Sequence, residues 1–108
     1  MSVQKIFEAL SSQVRRKILA YLSAQPLTAG EIADRFEISK PSVSQHLGIL
    51  ENAGLVRSEK RGQYVHYTLV QENLLHTLNS FALEVCPVGG PIKREARKQA
   101  KSKADIAE

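Results

Sequence analysis

The stretch SKPSVSQHLGILENAG, at residues 39–54, decides the fold. Three of its apolar side chains recur at helical spacing and predict one buried stripe: Val43, Leu47 and Leu50. Ser39 suits the capping position before the first turn, where a hydroxyl accepts a backbone hydrogen bond. Gly54 suits the left-handed position that follows a last helical turn. These signals predict one helix with a defined start, a defined end and a single buried face.

The opposite face of this helix is polar and uncharged, apart from Lys40 near its start. Helical geometry turns four residues outward: Pro41, Gln45, Gly48 and Asn52. Glutamine and serine can donate to and accept from base edges, and small residues let the backbone come close. The face is typical of a helix that reads DNA bases, and a merely solvated face is the alternative. His46 lies beside the buried stripe, where a half-buried histidine bonded within the fold is favoured over a base contact.

Three shorter helices are predicted ahead of this one. The first covers residues 3–10, where four apolar residues form an amphipathic pattern: Val3, Ile6, Phe7 and Leu10. The second lies over residues 14–22 and ends before a proline, because proline disfavours helix in the residue that precedes it. Thr28 and Glu31 stand at the spacing of a capping box, which predicts a short third helix that includes Phe36.

The apolar period changes from that of a helix to that of a strand after residue 54, which predicts a β-hairpin. Residues 55–59 and 64–69 are the predicted strands, and residues 60–63 are the predicted turn. Helix, turn, helix and hairpin follow in the order of a winged helix-turn-helix. We therefore predict a mostly α, α+β fold with about five helices and a two-stranded wing.

The hairpin carries positive charge at and near its turn. Four of its residues are candidate DNA contacts: Arg57, Lys60, Arg61 and Gln63. A basic tip can reach phosphates or enter a minor groove. Charge at an exposed edge also protects a sheet from aggregation, so on the hairpin alone both interpretations stay open.

A fifth helix follows the hairpin, and a basic tail follows that helix. The helix, over residues 74–85, has more apolar side chains than one small core can cover, which indicates an interface with a second copy. Residues 92–108 hold six basic and three acidic side chains, and thus +3 of the net charge of +4. We predict one folded domain over residues 1–86 and a flexible tail over residues 87–108.

Composition excludes several classes of protein. The 108 residues include 43% hydrophobic and 24% charged ones, which is typical of a globular domain. The chain lacks an apolar run long enough for a transmembrane helix or a signal peptide, so we expect a cytoplasmic protein without a membrane partner. A single cysteine excludes an internal disulfide. Neither a nucleophile with its base nor a glycine-rich phosphate loop is visible, so we do not expect an enzyme.

Three segments of the chain resemble the ArsR/SmtB family of bacterial winged-helix repressors: FEALSSQVRRKILAYL, LTAGEIADRFEISKPSVSQHLGILENAGLV and EKRGQYVHYTLV. The resemblance covers residues 6–70, is strongest at residues 38–56, and looks most like the metal-independent, SdpR-like branch. It implies a homodimer, paired through the first and last helices, that binds a double-stranded DNA operator and represses transcription. By position, the family's DNA contacts fall on four residues: Lys40, Ser42, Ser44 and Gln45.

The same resemblance bears on the dimer interface and on metals. The resemblance implies an interface through the first and last helices, and the surplus apolar surface of the last helix agrees with it. The candidate interface residues are Val3, Ile6, Phe7, Leu74, Leu78, Phe81 and Val85. Metal-sensing members carry Cys-x-Cys on the third helix, where this chain has Thr28 and Gly30. His46, His66 and His76 lie on different elements, and packing across strands explains His66 better. Because a tight Zn²⁺ site needs about three or four converging ligands, we expect no metal cofactor.

The predicted function is sequence-specific DNA binding by a homodimeric, metal-independent transcriptional repressor, with autorepression as one form of it. Its operator should be palindromic, and the sequence leaves open whether an effector controls binding. One alternative is a winged helix that docks another protein, which would need large apolar anchors on the exposed helix face, where only Ile49 qualifies. Another is a repressor switched by oxidation of Cys86. In the competing interpretation, Cys86 is a small apolar residue whose thiol has no role.

Overall fold

The computed structural model describes residues 2–86 of the chain. Its elements are, in order, α1 (Val3–Leu10), α2 (Gln13–Leu22), β1 (Leu27–Thr28), α3 (Ala29–Ala33), α4 (Lys40–Asn52), β2 (Val56–Arg61), β3 (Tyr64–Leu69) and α5 (Gln71–Val85). The chain divides into two compact units, Met1–Leu75 and His76–Glu108, and the described part of the second unit is the later half of α5 with Cys86. The predicted tail over residues 87–108 lies outside the described residues.

Side-chain hydroxyls start the first four helices, because the first backbone N–H groups of a helix lack partners within it. The capping residues are Ser2, Ser12, Thr28 and Ser39, and each accepts from the N–H three positions later. At Thr28 the bond is reciprocal, since the Glu31 carboxylate accepts from the Thr28 N–H at 2.9 Å. The predicted capping box is therefore confirmed, and such caps stabilise a helix by about 1 kcal/mol each.

Helix α4 ends in the left-handed turn that its sequence predicts. Gly54 has a φ of 81°, a value that glycine adopts without a steric penalty. Its N–H donates to the Glu51 carbonyl at 3.0 Å, and the Leu55 N–H donates to the Leu50 carbonyl at 2.9 Å. This pair of bonds satisfies the last carbonyls of α4 and turns the chain directly into β2.

The wing is part of a three-stranded antiparallel sheet in the order β1-β3-β2, not a separate two-stranded hairpin. The added strand, β1, pairs Leu27 with Tyr67 and Thr28 with His66. It is only two residues long, so no alternating pattern could have revealed it. The sheet therefore ties the wing to the segment that leads into α3.

The core lies between the helices and the inner face of this sheet. Its fully buried side chains come from the first four helices and the loop after α4: Ile6, Ile18, Ile32, Val43, Leu47, Leu50 and Leu55. Helix α3 ends at Ala33, so the prediction that Phe36 lies within it was wrong. Phe36 follows in a turn and packs edge-on against Tyr21, with the ring centroids 5.6 Å apart. None of the helices within residues 2–86 has the length and apolarity needed to cross a membrane.

Candidate nucleic-acid interface

One face of α4 is held by the core and the other is open. The buried stripe is the predicted one, since Val43, Leu47 and Leu50 are fully buried. The open side, which we call the reading face, consists of Lys40, Pro41, Ser44, Gln45 and Gly48. A Cβ atom added at Gly48 would meet nothing within 4 Å, so the helix backbone itself is accessible there. The reading face is thus small, polar and close to the backbone, as direct contact with base edges requires.

Ser42 differs from the other candidate contacts on α4 because it takes part in the capping turn. It is half-buried. Its N–H donates to the Ser39 hydroxyl at 3.3 Å, and the Ser39 hydroxyl donates to the Ser42 hydroxyl at 3.2 Å. Of the four residues that the family resemblance indicated, Lys40, Ser44 and Gln45 are therefore open, and Ser42 helps to fix the start of the helix.

His46 is joined to Arg15 of α2. The Arg15 guanidinium lies 3.2 Å from the Nδ1 atom of His46. Its other nitrogens donate to the last turn of α1, Nε to the Ala9 carbonyl at 2.8 Å and Nη2 to the Glu8 carbonyl at 3.1 Å. His46 therefore matches the favoured interpretation, a half-buried histidine bonded within the fold. We call this arrangement of one guanidinium between α1 and α4 the Arg15–His46 clasp.

The surroundings of His46 favour its neutral form. Burial of the ring lowers its pKa, and the positive charge of Arg15 lowers this pKa further. Both effects act in one direction because each disfavours a positive charge on the imidazole. The sequence could not reveal this pairing, since Arg15 precedes His46 by 31 positions.

The basic residues of the wing lie on its strands, and the turn is shorter than predicted. β2 extends through Lys60 and Arg61, so these two residues belong to the strand and not to the turn. The connection to β3 is Gly62 and Gln63, where Gly62 has a φ of 65°. Placing Lys60 and Arg61 in the turn was therefore wrong, because a two-residue connection suffices where a glycine supplies the positive φ.

Strand geometry divides the wing cations between two faces. Successive side chains of a strand point to opposite sides, so Arg57 and Arg61 share one face and Lys60 lies on the other. The Arg61 guanidinium is 3.2 Å from the Glu59 carboxylate, and both side chains are more than half exposed. Such an exposed ion pair is worth less than about 1 kcal/mol, so it leaves Arg61 available to a phosphate.

Two exposed residues of β3 are not among the contacts that the sequence predicts. Tyr64 is 57% exposed and Val65 is 39% exposed, and they stand opposite Arg61 and Lys60 in the ladder. An aromatic ring beside an arginine, directly after a turn, is the signal that could have found Tyr64. Both side chains add exposed surface beside the basic residues of the wing.

The candidate interface residues of α1 and α5 differ in how much surface they offer. Ile6 is fully buried in the core, so it presents no side-chain surface to a partner, whereas Val3 is 51% exposed. Phe7 is half-buried, and Leu74 is half-buried against the core. On α5, large apolar side chains at least 40% exposed include both candidate and unanticipated residues: Leu75, Leu78, Phe81, Leu83 and Val85.

The remaining candidates concern thiol and metal chemistry. Cys86 is exposed and free, and its predicted redox role remains a prediction. His66 stands opposite Glu59 and Thr28 in the sheet, and its buried Nδ1 atom has no hydrogen-bond partner within residues 2–86. Across those residues, no three or more His, Cys, Asp or Glu side chains are grouped so that they could hold a metal ion.

Comparisons with known proteins identify relatives of this chain. Residues 10–59 match the family model described as a helix-turn-helix domain. The transcriptional repressor SdpR of Bacillus subtilis (strain 168) is 42% identical over 77 residues, which are 71% of this chain and 86% of that protein. A cadmium resistance transcriptional regulatory protein, a CadC homolog of Staphylococcus aureus, is 34% identical over 93 residues, covering 82% and 77% of the two chains. The structure of an ArsR-like transcriptional regulator from Rhodococcus sp. RHA1 gives a TM-score of 0.69 at 29% identity. The match covers 98% of this chain and 92% of that one.

A helix that packs on the core with one side and exposes a polar face on the other, followed by a hairpin wing, defines the class of winged helix-turn-helix DNA-binding regulators. The chain belongs to the ArsR/SmtB family of transcriptional regulators, within its SdpR-like branch. The family resemblance of the sequence and the α+β fold class are therefore confirmed. The relatives named above are regulators of transcription and not enzymes.

Proposed function

We propose that this chain is a homodimeric, metal-independent repressor that binds a palindromic operator on double-stranded DNA in the cytoplasm. The reading face of α4 carries this proposal. Ser44, Gln45 and Gly48 are exposed on a helix that the core fixes through its opposite side and that is capped at both ends. A helix held in this way can enter a major groove without loss of its own structure. The wing cations Arg57, Lys60 and Arg61 then bind phosphates and set the orientation.

Apolar surface on α5 supports the dimer. Leu78, Phe81 and Val85 are between 40% and 58% exposed, although large apolar side chains are normally drawn into a core or an interface. A second copy of the chain presents the same surface, so a two-fold axis makes the two faces complementary. Val3 of α1 adds exposed apolar surface of its own. Two-fold symmetry in the protein in turn requires a palindromic site on DNA.

Metal independence is supported by what occupies the positions of thiolate ligands in metal-sensing members. The Thr28 hydroxyl accepts from the Glu31 N–H at 3.1 Å and caps α3. Gly30 has no side chain that could ligate an ion. A hydroxyl engaged as a helix cap is a poor substitute for a thiolate, which Zn²⁺ prefers at such sites.

Selection of duplexes from a random-sequence library by the full chain tests this function. The expected result is enrichment of an imperfect palindrome with half-sites about 10 base pairs apart, or a multiple of that distance. Sedimentation of the complex should give two chains per duplex. A library carried through without protein is the control. No enrichment over that control, or one chain per enriched duplex, would contradict the proposal.

A further inference from the structure

The Arg15–His46 clasp fixes the hydrogen-bonding state of a residue in the middle of α4. A guanidinium only donates hydrogen bonds, so the Nδ1 atom that lies 3.2 Å from it must accept. His46 is therefore neutral in the clasp and carries its ring proton on Nε2. From its other side the guanidinium donates to the Ala9 and Glu8 carbonyls of α1, in the last turn of that helix. The Glu8 carbonyl also accepts from the N–H and the hydroxyl of Ser11.

We propose that Arg15 is a positioning residue for DNA recognition: it holds α4 against α1 and α2 through His46, and protonation of His46 releases this hold. The inference rests on the proposed function, because it assumes that the reading face of α4 contacts DNA. Gln45 directly precedes His46 and shares its helical turn. A change in how His46 is held therefore moves the side chain on which base contact most depends.

The direction of the pH effect follows from the groups around the ring. Helix α4 packs against α1, α2, α3 and β2. Among the described residues of these elements, Arg15 is the charged group that acts on the imidazole, and α1 reaches the clasp through backbone carbonyls. Burial and then Arg15 lower the pKa of His46, so the ring is neutral at neutral pH. Below that pKa, Nδ1 becomes a donor that faces a cation, and attraction turns into repulsion.

The hydrogen-bonding state can be measured without DNA. Nitrogen-15 NMR of the histidine rings should show His46 protonated on Nε2 and not on Nδ1 at about pH 7.5. In Arg15→Gln the pKa of His46 should rise, because a positive charge has been removed. The control is Arg16→Gln, since Arg16 also donates to a carbonyl of α1, that of Leu10 at 2.7 Å, but no bond joins it to His46. A proton on Nδ1, or a pKa that Arg15→Gln leaves unchanged, would overturn the clasp.

The effect on recognition needs a specific and an unspecific probe. The specific probe is the duplex that the wild-type chain enriches from the random library, and the unspecific one is a scrambled duplex of the same composition. The wild-type ratio of the two affinities should fall at least about fivefold as the pH is lowered from about 7.5 to below the His46 pKa that NMR gives, as expected for loss of a charge-assisted hydrogen bond. Arg15→Gln should have a lower ratio at pH 7.5 and little further loss in acid. Arg16→Gln should follow the wild type.

His46→Asn separates titration from packing, because its amide oxygen can accept near the position of Nδ1 and cannot be protonated. Its ratio should be independent of pH over the same range, whatever its value. Circular dichroism checks that each variant is folded. If His46→Asn does not fold, the comparison of Arg15→Gln with Arg16→Gln decides whether Arg15 positions α4. A wild-type ratio that does not change with pH, or equal profiles for Arg15→Gln and Arg16→Gln, would overturn the positioning role. Failure to enrich any duplex would instead contradict the proposed function, and NMR would still test the clasp.

Discussion

The side-chain amide of Asn73, in α5, donates a hydrogen bond of 2.7 Å to the backbone carbonyl of Gly54. Gly54 is the left-handed residue at which α4 ends, one residue before the buried Leu55 leads into β2. The same turn is held from α4 by the Leu55 N–H, which donates to the Leu50 carbonyl. The start of α5 thus stabilises the turn that connects α4 to β2, the first strand of the wing.

Asn73→Ala should lower the free energy of unfolding by about 1–2 kcal/mol, because the Gly54 carbonyl loses a partner in a part-buried position. Urea denaturation followed by circular dichroism measures this change. Asn79→Ala is the matched control, since Asn79 is exposed on the same helix, and its effect should stay within about 0.5 kcal/mol. Equal effects of the two substitutions would show that the bond to Gly54 contributes nothing.

Gly48→Ala should stabilise the fold and weaken DNA binding. Alanine favours a helix over glycine by up to about 1 kcal/mol, and the structure leaves room for its Cβ atom. On the reading face, that methyl group enters the space where DNA must approach, which should cost about 1–3 kcal/mol of binding. Gly30→Ala in α3 controls for the gain in helix stability away from this face. Unchanged affinity of Gly48→Ala for the enriched duplex would contradict close approach of α4.

Leu78→Glu should prevent dimerisation, because an unpaired carboxylate would be buried between two copies of α5. The control is Ile49→Glu, which introduces the same charge at a similarly exposed apolar residue of α4. Ile49 is 42% exposed and Leu78 is 40% exposed. Sedimentation at micromolar concentration should give dimers for the wild type and for Ile49→Glu, and monomers for Leu78→Glu. A monomeric wild type, or a dimeric Leu78→Glu, would rule out an interface through α5.

Zinc and nickel should leave operator affinity unchanged. The Thr28 hydroxyl caps α3, and Gly30 offers no ligand. Adding a chelator or one equivalent of Zn²⁺ or Ni²⁺ should therefore change the affinity for the enriched duplex less than twofold, a bound of about 0.4 kcal/mol. A shift of more than about tenfold, roughly 1.4 kcal/mol of coupling, would show that the dimer assembles ligands that one chain does not.

Local signals were predictable from the sequence, and distant partnerships were not. The Thr28 and Glu31 capping box and the turn at Gly54 depend on residues a few positions apart, so their spacing sufficed. The clasp joins Arg15 to His46 across 31 positions, and no periodicity encodes that distance. The sequence places Arg15 in a helix beside two other cations, Arg16 and Lys17, and no local signal distinguishes it from them.

Amphipathic patterns also predict which side of a helix faces the core more reliably than they predict how deeply each side chain on that side is buried. The spacing of α1 placed Val3, Ile6 and Phe7 on one apolar side, and the structure buries Ile6 fully while leaving half of Val3 exposed. Depth depends on which neighbours pack against each position. Similarly, the basic residues of the wing were recognised, but Lys60 and Arg61 were placed in a turn because charge next to glycine resembles a loop.

The most direct test compares Gln45→Ala with Arg61→Ala on the enriched duplex, on every single-base variant of it, and over a range of salt concentrations. Gln45→Ala should lose about 1–3 kcal/mol at particular base pairs and little at others, because its amide reads base edges. Arg61→Ala should weaken binding to all sequences alike and reduce the salt dependence, because its guanidinium neutralises a phosphate. If both substitutions gave the same uniform loss, the division between a reading helix and a positioning wing would be contradicted.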